Sequence, residues 1–265
     1  MSSEFVLLEK SAHVATVTLN QPETLNAITF DMNARLTEVM DDVAHDPDVR
    51  AVLLTGAGRG FCAGANLMGE SGETIAAGGL RFREYIKSGN NFLTGITEME
   101  KPWLAVVNGP AVGAGCGLAL ACDLVLAAES AFFAVSFTGV GAVLDLGLTY
   151  WLPRLVGVHR ANELAFFGDR VYAPQAAAMG LINHAVPDDE LMDTARKWAA
   201  RLAAGPTLAI GAIKLGIRRG LHGSFRDSLH WEAMMQSLVL QTPDANEGIA
   251  AFSQRRKPEF KGLID

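Results

Sequence analysis

Two segments have the residue types and spacing to act on a polarised or anionic oxygen. GAGRGFCAGANL, residues 56–67, and NGPAVGAGCGLAL, residues 108–120, each follow an apolar strand-like run and precede helical sequence. Small residues in such loops let backbone N–H groups face a ligand. Dinucleotide binding would need G-x-G-x-x-G closing a strand and an acid about twenty residues further on. After Gly113 and Gly115 the sixth position is Leu118, Asp123 follows Gly113 by only ten residues, and neither loop carries a Walker lysine. Two amides converging on one point would instead stabilise negative charge on a carbonyl oxygen, each donor being worth about 3 kcal/mol to a transition state. The Ala114 amide would open a helix, where the dipole adds favourable potential. The same glycines equally suit close helix-to-strand packing, and spacing leaves both readings open.

Other reactive groups are sparse. Asp145, read without further context, is a helix N-cap before Leu146. Glu73, Glu84, Glu98 and Glu100 lie in a variable loop and helix and are expected to face solvent. The six histidines form no close pattern, and Cys62, Cys116 and Cys122 form no CxxC and no zinc-site spacing. Cys62 and Cys116 read as small buried residues of the glycine loops. No metal site is expected.

The elements that must position these loops follow from periodicity. Val14–Leu19 alternates as a half-buried strand, Gln21 and Pro22 open a turn, and a helix capped by Thr29 carries Met32, Leu36, Val39, Met40 and Val43 at helical spacing. Ala51–Thr55 is a short apolar strand. Residues 69–79 read as a mobile loop over a cleft, and Leu80–Met99 as a helix. Trp103–Cys122 holds Asn108 as its one strongly polar side chain, yet Asn108, Gly109 and Pro110 cut it into a buried strand, a turn and a buried helix. A strand at Leu124–Ala127 follows. Helical patterns then cover 161–167, 174–179, 188–204, 207–219 and 225–241. The last carries a stripe, Trp231, Met234, Met235, Leu238 and Val239, that would cover the core or a partner subunit, the core being the commoner case. Continuous apolar strands alternating with helices predict an α/β fold with strands buried on both faces.

Composition agrees. With 265 residues, 49% hydrophobic and 19% charged, the chain can bury a large core. A net charge of −7 argues against a broad nucleic-acid footprint. An odd number of cysteines and Glu4 in place of a basic leader predict a reduced, cytoplasmic protein without an export signal or a membrane span.

Several ordered motifs are also familiar. LNQPETLNAI (19–28), GRGFCAGANL (58–67), KPWLAVVNGPAVGAGCGLALACDL (101–124), LGLTYWLPRLVG (146–157), GLINHAVP (180–187) and EGIAAFSQRRKPEFKG (247–262) resemble the crotonase superfamily, the enoyl-CoA hydratase/isomerase family. The resemblance spans essentially the whole chain. It implies a crotonase-like spiral of ββα units over residues 1–200, with a helical trimerisation region over 201–265. It further implies a homotrimer or dimer of trimers acting on an acyl-CoA thioester, with coenzyme A belonging to the substrate and no separate cofactor.

Carried over by position, the resemblance makes the backbone N–H groups of Ala65 and Ala114 an oxyanion hole. Ala63, Ala65 and Leu67 would line the CoA moiety, and Lys257, Phe260 and Lys261 match a tail that approaches it. Hydratases of the family hold a water between two glutamates; those positions are Gly117 and Phe137 here. Asp145 aligns with an aspartate of the family's GLxPDxGG segment, written GAVLDLGL in this chain, with Leu144 for the proline and Leu148 for a glycine. Gly117, Phe137 and Asp145 together resemble 1,2-epoxyphenylacetyl-CoA isomerases and Δ3,Δ2-enoyl-CoA isomerases, in which one Asp shuttles a proton. Phe137, Val143 and Leu144 would then form an apolar pocket raising the Asp145 pKa. Phe82, Tyr85, Phe92, Phe132 and Phe137 point to an aromatic or medium-chain acyl group. Three rivals stand beside isomerisation: a hydratase using an unplaced carboxylate, an acyl-CoA binder without turnover, and a 4-chlorobenzoyl-CoA dehalogenase reading whose His and Trp fall on Asn90 and Phe137.

Overall fold

A computed structural model describes residues 5–67 and 79–262. Val6–Ser11 (β1) and Val14–Leu19 (β2) form an antiparallel hairpin turned by Ala12 and His13, both at positive φ. β1 escapes the hydrophobic pattern because it is an edge strand that fully buries only Val6. Ala51–Gly56 (β3), Trp103–Val107 (β4), Leu124–Ala128 (β6) and His184–Val186 (β9) add in parallel, giving the order β1-β2-β3-β4-β6-β9. Every residue of β3 and β4 is buried, as continuous apolar runs require.

A second, shorter layer is built from Ala111–Val112 (β5), Phe132–Ala134 (β7) and Arg170–Tyr172 (β8). Single bridges Ile28–Ala65 and Cys62–Ala111 extend it toward the start of the chain. Each repeat therefore lays one strand in the long sheet, a short one in the second layer, and a helix that closes the turn. These helices are Phe30–His45 (α1), Gly79–Glu98 (α2), Ala114–Ala121 (α3), Leu148–Phe167 (α4) and Ala173–Ala178 (α5). Thr29 caps α1 as expected, its hydroxyl accepting from Met32 N–H at 3.1 Å. The anticipated loop over 69–79 lies almost wholly outside the described residues.

The last third is helical: Leu191–Ala203 (α6), Thr207–Gly220 (α7), Phe225–Val239 (α8) and Pro243–Gln254 (α9). Three expectations change here. The helix read from residue 161 begins at Leu148, with Pro153 inside it and a kink at Gly157 that hides its periodicity. α8 is not the final helix. Its stripe does not enter the core either: Trp231, Met235 and Val239 are half-buried, while Met234 and Leu238 are 47% and 56% exposed. Among the described residues no single helix is long and apolar enough to cross a membrane.

One ionic cluster fastens α7 to the core. Asp123, following α3, pairs with Lys214 at 2.8 Å and Arg218 at 2.9 Å and accepts from Trp103 N–H at 2.8 Å. Lys214 also donates to the carbonyls of Ile96 and Lys101, so burial, which pulls its pKa below the ordinary lysine value, is opposed by a full set of acceptors. Asp123→Asn leaves two cations against a neutral amide and should cost roughly 3 kcal/mol of unfolding free energy in urea titration.

Candidate active site

The parallel strands β3 and β4 end side by side, so the glycine loops that leave them meet at one edge of the sheet. Two asparagine side chains fix the first loop. Asn26, fully buried, donates to the carbonyls of Ala57 and Gly60 at 3.0 and 2.8 Å and accepts from Gln21 N–H at 2.8 Å. Asn108 donates to the carbonyls of Gly56 and Gly58 at 2.9 and 3.0 Å. Its role could be read from its being the lone polar side chain in an apolar run; nothing in the sequence marked Asn26.

The fixed loop brings the two predicted amides together. Ile28 N–H bonds Gly64 O and Asn66 N–H bonds Ile28 O, at 2.8 and 2.9 Å, which turns the Ala65 N–H to the opposite side. Gly64, at φ 98°, lies so close to the second loop that a methyl group on it would sit 2.8 Å from Val112 O and 3.5 Å from Ala114 N. Gly113 holds φ 53° and ψ −115°, a conformation open to glycine, and thereby starts α3 with the Ala114 N–H pointing out of the helix end. Among the described residues neither amide has a protein acceptor. The Phe137 ring, nearly buried, would be 3.9 Å from a methyl on Gly113, beside the Ala114 amide.

Asp145 is not a helix cap, contrary to its bare reading. α4 begins two residues later than such a cap requires, with Gly147 as N-cap and no side-chain cap bond; Asp145 contributes only its carbonyl, which accepts from Leu148 N–H at 3.0 Å. One carboxylate oxygen is buried without a hydrogen-bond partner among the described residues. Burial pushes its pKa from 3.8 up to about 6. Tyr85 of α2 lies near enough that the Asp145 charge helps raise the phenol pKa, after the larger effect of burial. The Tyr85 hydroxyl donates to Ile28 O at 2.7 Å, and Ile28 bridges Ala65, so Tyr85 connects the carboxylate side of the site to the amide side.

Other predicted residues separate. Leu144 is partly buried against the core, whereas Val143 is 84% exposed and forms no pocket wall. Phe92 packs edge-on against Trp103 in the core, and Phe132 lies against Tyr172 and Arg170, so neither faces Asp145. The Phe82 side chain lies outside the described residues. Ala63 and Leu67 are half-buried on the same loop as Ala65. In the tail, the Lys257 carbonyl accepts from Arg256, Phe260 sits against Gly248 of α9, and Lys261 N–H bonds Asp244 at 2.7 Å. A methyl on the following Gly262 would touch Arg50, just before β3, and the glycine loops leave the other end of that strand, roughly 20 Å away for six residues. All three cysteines are buried, and burial pushes the Cys62 and Cys116 thiols up to about 12. Among the described residues no cluster of His, Cys, Asp or Glu could hold a metal ion.

The raised Asp145 pKa carries a sign. The folded protein holds this proton more tightly than the unfolded chain, so stability falls as pH rises from about 4 to about 6 and stays lower above that. Asp145→Asn should therefore leave stability unchanged near pH 4 and raise it by up to about 3 kcal/mol at pH 8, read from denaturant unfolding at both pH values.

Known proteins match this chain along nearly its whole length. The family model described as enoyl-CoA hydratase/isomerase matches residues 9–263. A protein of Rhodobacter capsulatus named "probable enoyl-CoA hydratase" is 40% identical over 99% of this chain and all of its own. The 1,2-epoxyphenylacetyl-CoA isomerase of Escherichia coli is 38% identical over 98% of this chain and 99% of its own. The crystal structure of an enoyl-CoA hydratase from Bacillus anthracis superposes with a TM-score of 0.92 at 31% identity, covering 98% of this chain and all of that one. The chain is thus a member of the enoyl-CoA hydratase/isomerase family, with the crotonase fold.

Proposed function

We propose that this acyl-CoA enzyme isomerises its substrate, moving a double bond or opening a ring through a thioester enolate. The observation that carries the reading is Asp145, whose buried carboxylate oxygen has no hydrogen-bond partner among the described residues and whose pKa is raised to about 6 by burial. A base tuned toward neutral pH takes up and gives back a proton most effectively. In a 3-enoyl thioester, Asp145 removes a proton from C2 and the electron pair moves onto the carbonyl oxygen. The Ala65 and Ala114 amides hold that oxygen as an enolate. The enolate then collapses, the C3–C4 π electrons take the same proton from Asp145 at C4, and the double bond ends between C2 and C3. Atoms and charge balance without water or a further reactant.

Hydration asks more of the site, since a water must be held and activated. Gly117 and Phe137 supply no carboxylate for it. CoA contact falls to Ala63, Ala65 and Leu67. The tail residues Lys257, Phe260 and Lys261, fastened at the far end of β3, would reach the CoA of a neighbouring subunit rather than their own. A homotrimer or dimer of trimers suits the exposed apolar side chains of the C-terminal helices, among them Ile217, Phe225 and Phe252.

Incubation with a 3-enoyl-CoA should give the 2-enoyl ester, and Asp145→Asn should slow this by about 100-fold or more. Gly113→Ala, which forces a side chain into the glycine-only conformation before Ala114, should lower kcat by about 100 to 1,000-fold by misdirecting one oxyanion donor. Hydration of a 2-enoyl-CoA that survives Asp145→Asn would overturn the isomerase reading. So would tight ester binding with no product from any position of the double bond.

A further inference from the structure

Leu146 is one of six non-glycine residues at positive φ among the described residues. It is 7% exposed and holds φ 45°, a left-handed conformation unfavourable for any side chain beyond glycine. Such a residue persists only where surrounding packing over-determines it. That packing comes from two helices. A methyl group on Gly117 of α3 would lie 2.7 Å from Leu146 Cβ and 2.7 Å from its carbonyl oxygen. A methyl on Gly89 of α2 would lie 3.1 Å from Leu146 Cδ2. Leu146 is therefore wedged between α2 and α3, each of which lacks a side chain where the wedge enters.

The wedge stands between Asp145 and the start of α4. Gly147, also left-handed at φ 75°, completes the turn, and Trp151 N–H bonds its carbonyl at 2.9 Å. A helix can start from Gly147 alone, so the strain at Leu146 is not needed to begin α4. Its evident effect is on the preceding residue, whose carboxylate is directed inward, away from the exposed Val143 side of the loop. Gly117 thus does more than omit a carboxylate, because its missing Cβ leaves the space that Leu146 fills.

We infer that Leu146 is a positioning residue for Asp145: seated in the hollows over Gly117 and Gly89, it aims the carboxylate into the site and keeps water from its buried side. The inference rests on the reading of Asp145 as the proton carrier. Among the described residues, the titratable group that interacts with Asp145 is Tyr85 of α2, and burial is the cause of the raised Asp145 pKa. The pH behaviour of Asp145 is therefore set by exclusion of water, which is what the wedge controls.

The test compares Leu146→Ala, Leu146→Met and Gly117→Ala with the unaltered protein, following isomerisation of a 3-enoyl-CoA from pH 4 to 8. Leu146→Ala should lower kcat about 10-fold or more with little change in KM, and move the acid-limb midpoint downward by about one pH unit as the carboxylate is hydrated. Gly117→Ala, which displaces the wedge from the α3 side, should lower kcat in the same way. Leu146→Met, similar in volume, should restore most of the rate and the midpoint. An unchanged midpoint in a folded Leu146→Ala protein, or a loss confined to KM, would overturn the inference. A second readout needs no turnover: the pH dependence of unfolding for each protein against its own Asp145→Asn version. Turnover that survives Asp145→Asn would sink the proton-carrier reading, while this second readout would still report whether Leu146 keeps the carboxylate dry. A pH dependence identical with and without the leucine would sink the wedge.

Discussion

The site depends on backbone packed against backbone where β3 and β4 end. A methyl group on Gly109 or Gly115 would fall 2.2 Å from a carbonyl oxygen of the first loop, Arg59 O or Cys62 O, inside any permissible contact. With no side chains between them, the two loops approach until the Gly64–Ala65 segment lies beside the Ala114 amide. Backbone this close needs its polar groups satisfied from within. Asn26 and Asn108 do that, their side-chain amides answering carbonyls that no strand can reach. Preorganised donors of this kind stabilise developing charge because little reorganisation is left to the moment of reaction.

Asp145 obeys an opposite logic. The loops gain by satisfying every buried polar group they can, whereas the carboxylate is left with one oxygen unsatisfied and a pKa raised to about 6. That is a cost to the fold, and groups kept at such a cost gather where proton transfer is done. Its neighbours explain how the cost is sustained. Tyr85 is turned to Ile28, Phe137 lies over Gly113 and Leu146 fills the hollow over Gly117, and among the described residues one Asp145 oxygen is buried without a hydrogen-bond partner.

The remaining architecture holds these two features in register. Parallel pairing of β3 with β4 puts both loops at one edge of the sheet, and α3 returns from that edge with Gly117 one turn in. At the other end of the strands, Asp123 ties Lys214 and Arg218 of α7 to the core, and Gly262 lies against Arg50. The C-terminal region also reaches the segment that follows Asp145: the Tyr150 hydroxyl of α4 lies 2.9 Å from His222 Nε2, and Arg218 of α7 lies over the Trp151 ring.

Much of this was legible in the residues themselves. Continuous apolar runs at Ala51–Thr55 and Trp103–Val107 fixed the buried strands because burial on both faces removes any alternation. Thr29 marked the start of α1 because its hydroxyl answers an amide three residues on. Motif resemblance pointed to Ala65, Ala114 and Asp145 as the candidate site. The elements that stayed hidden were β1, an edge strand with one buried face position; β5, β7, β8 and β9, too short at two or three residues to show a period; α9; and the first half of α4, whose pattern is broken by Pro153 and Gly157. The surroundings of Asp145 were less legible than its candidacy. The resemblance made it a proton carrier in an apolar pocket, but nearest neighbours in the chain put Val143 in that pocket, where the side chain is 84% exposed. The fold instead set Tyr85, sixty residues earlier, near that carboxylate, and packed Gly117 against Leu146. Types and spacing along the chain determined which groups this protein has; their desolvation and aim were decided only by contacts between distant segments, because burial is a property of the assembled core.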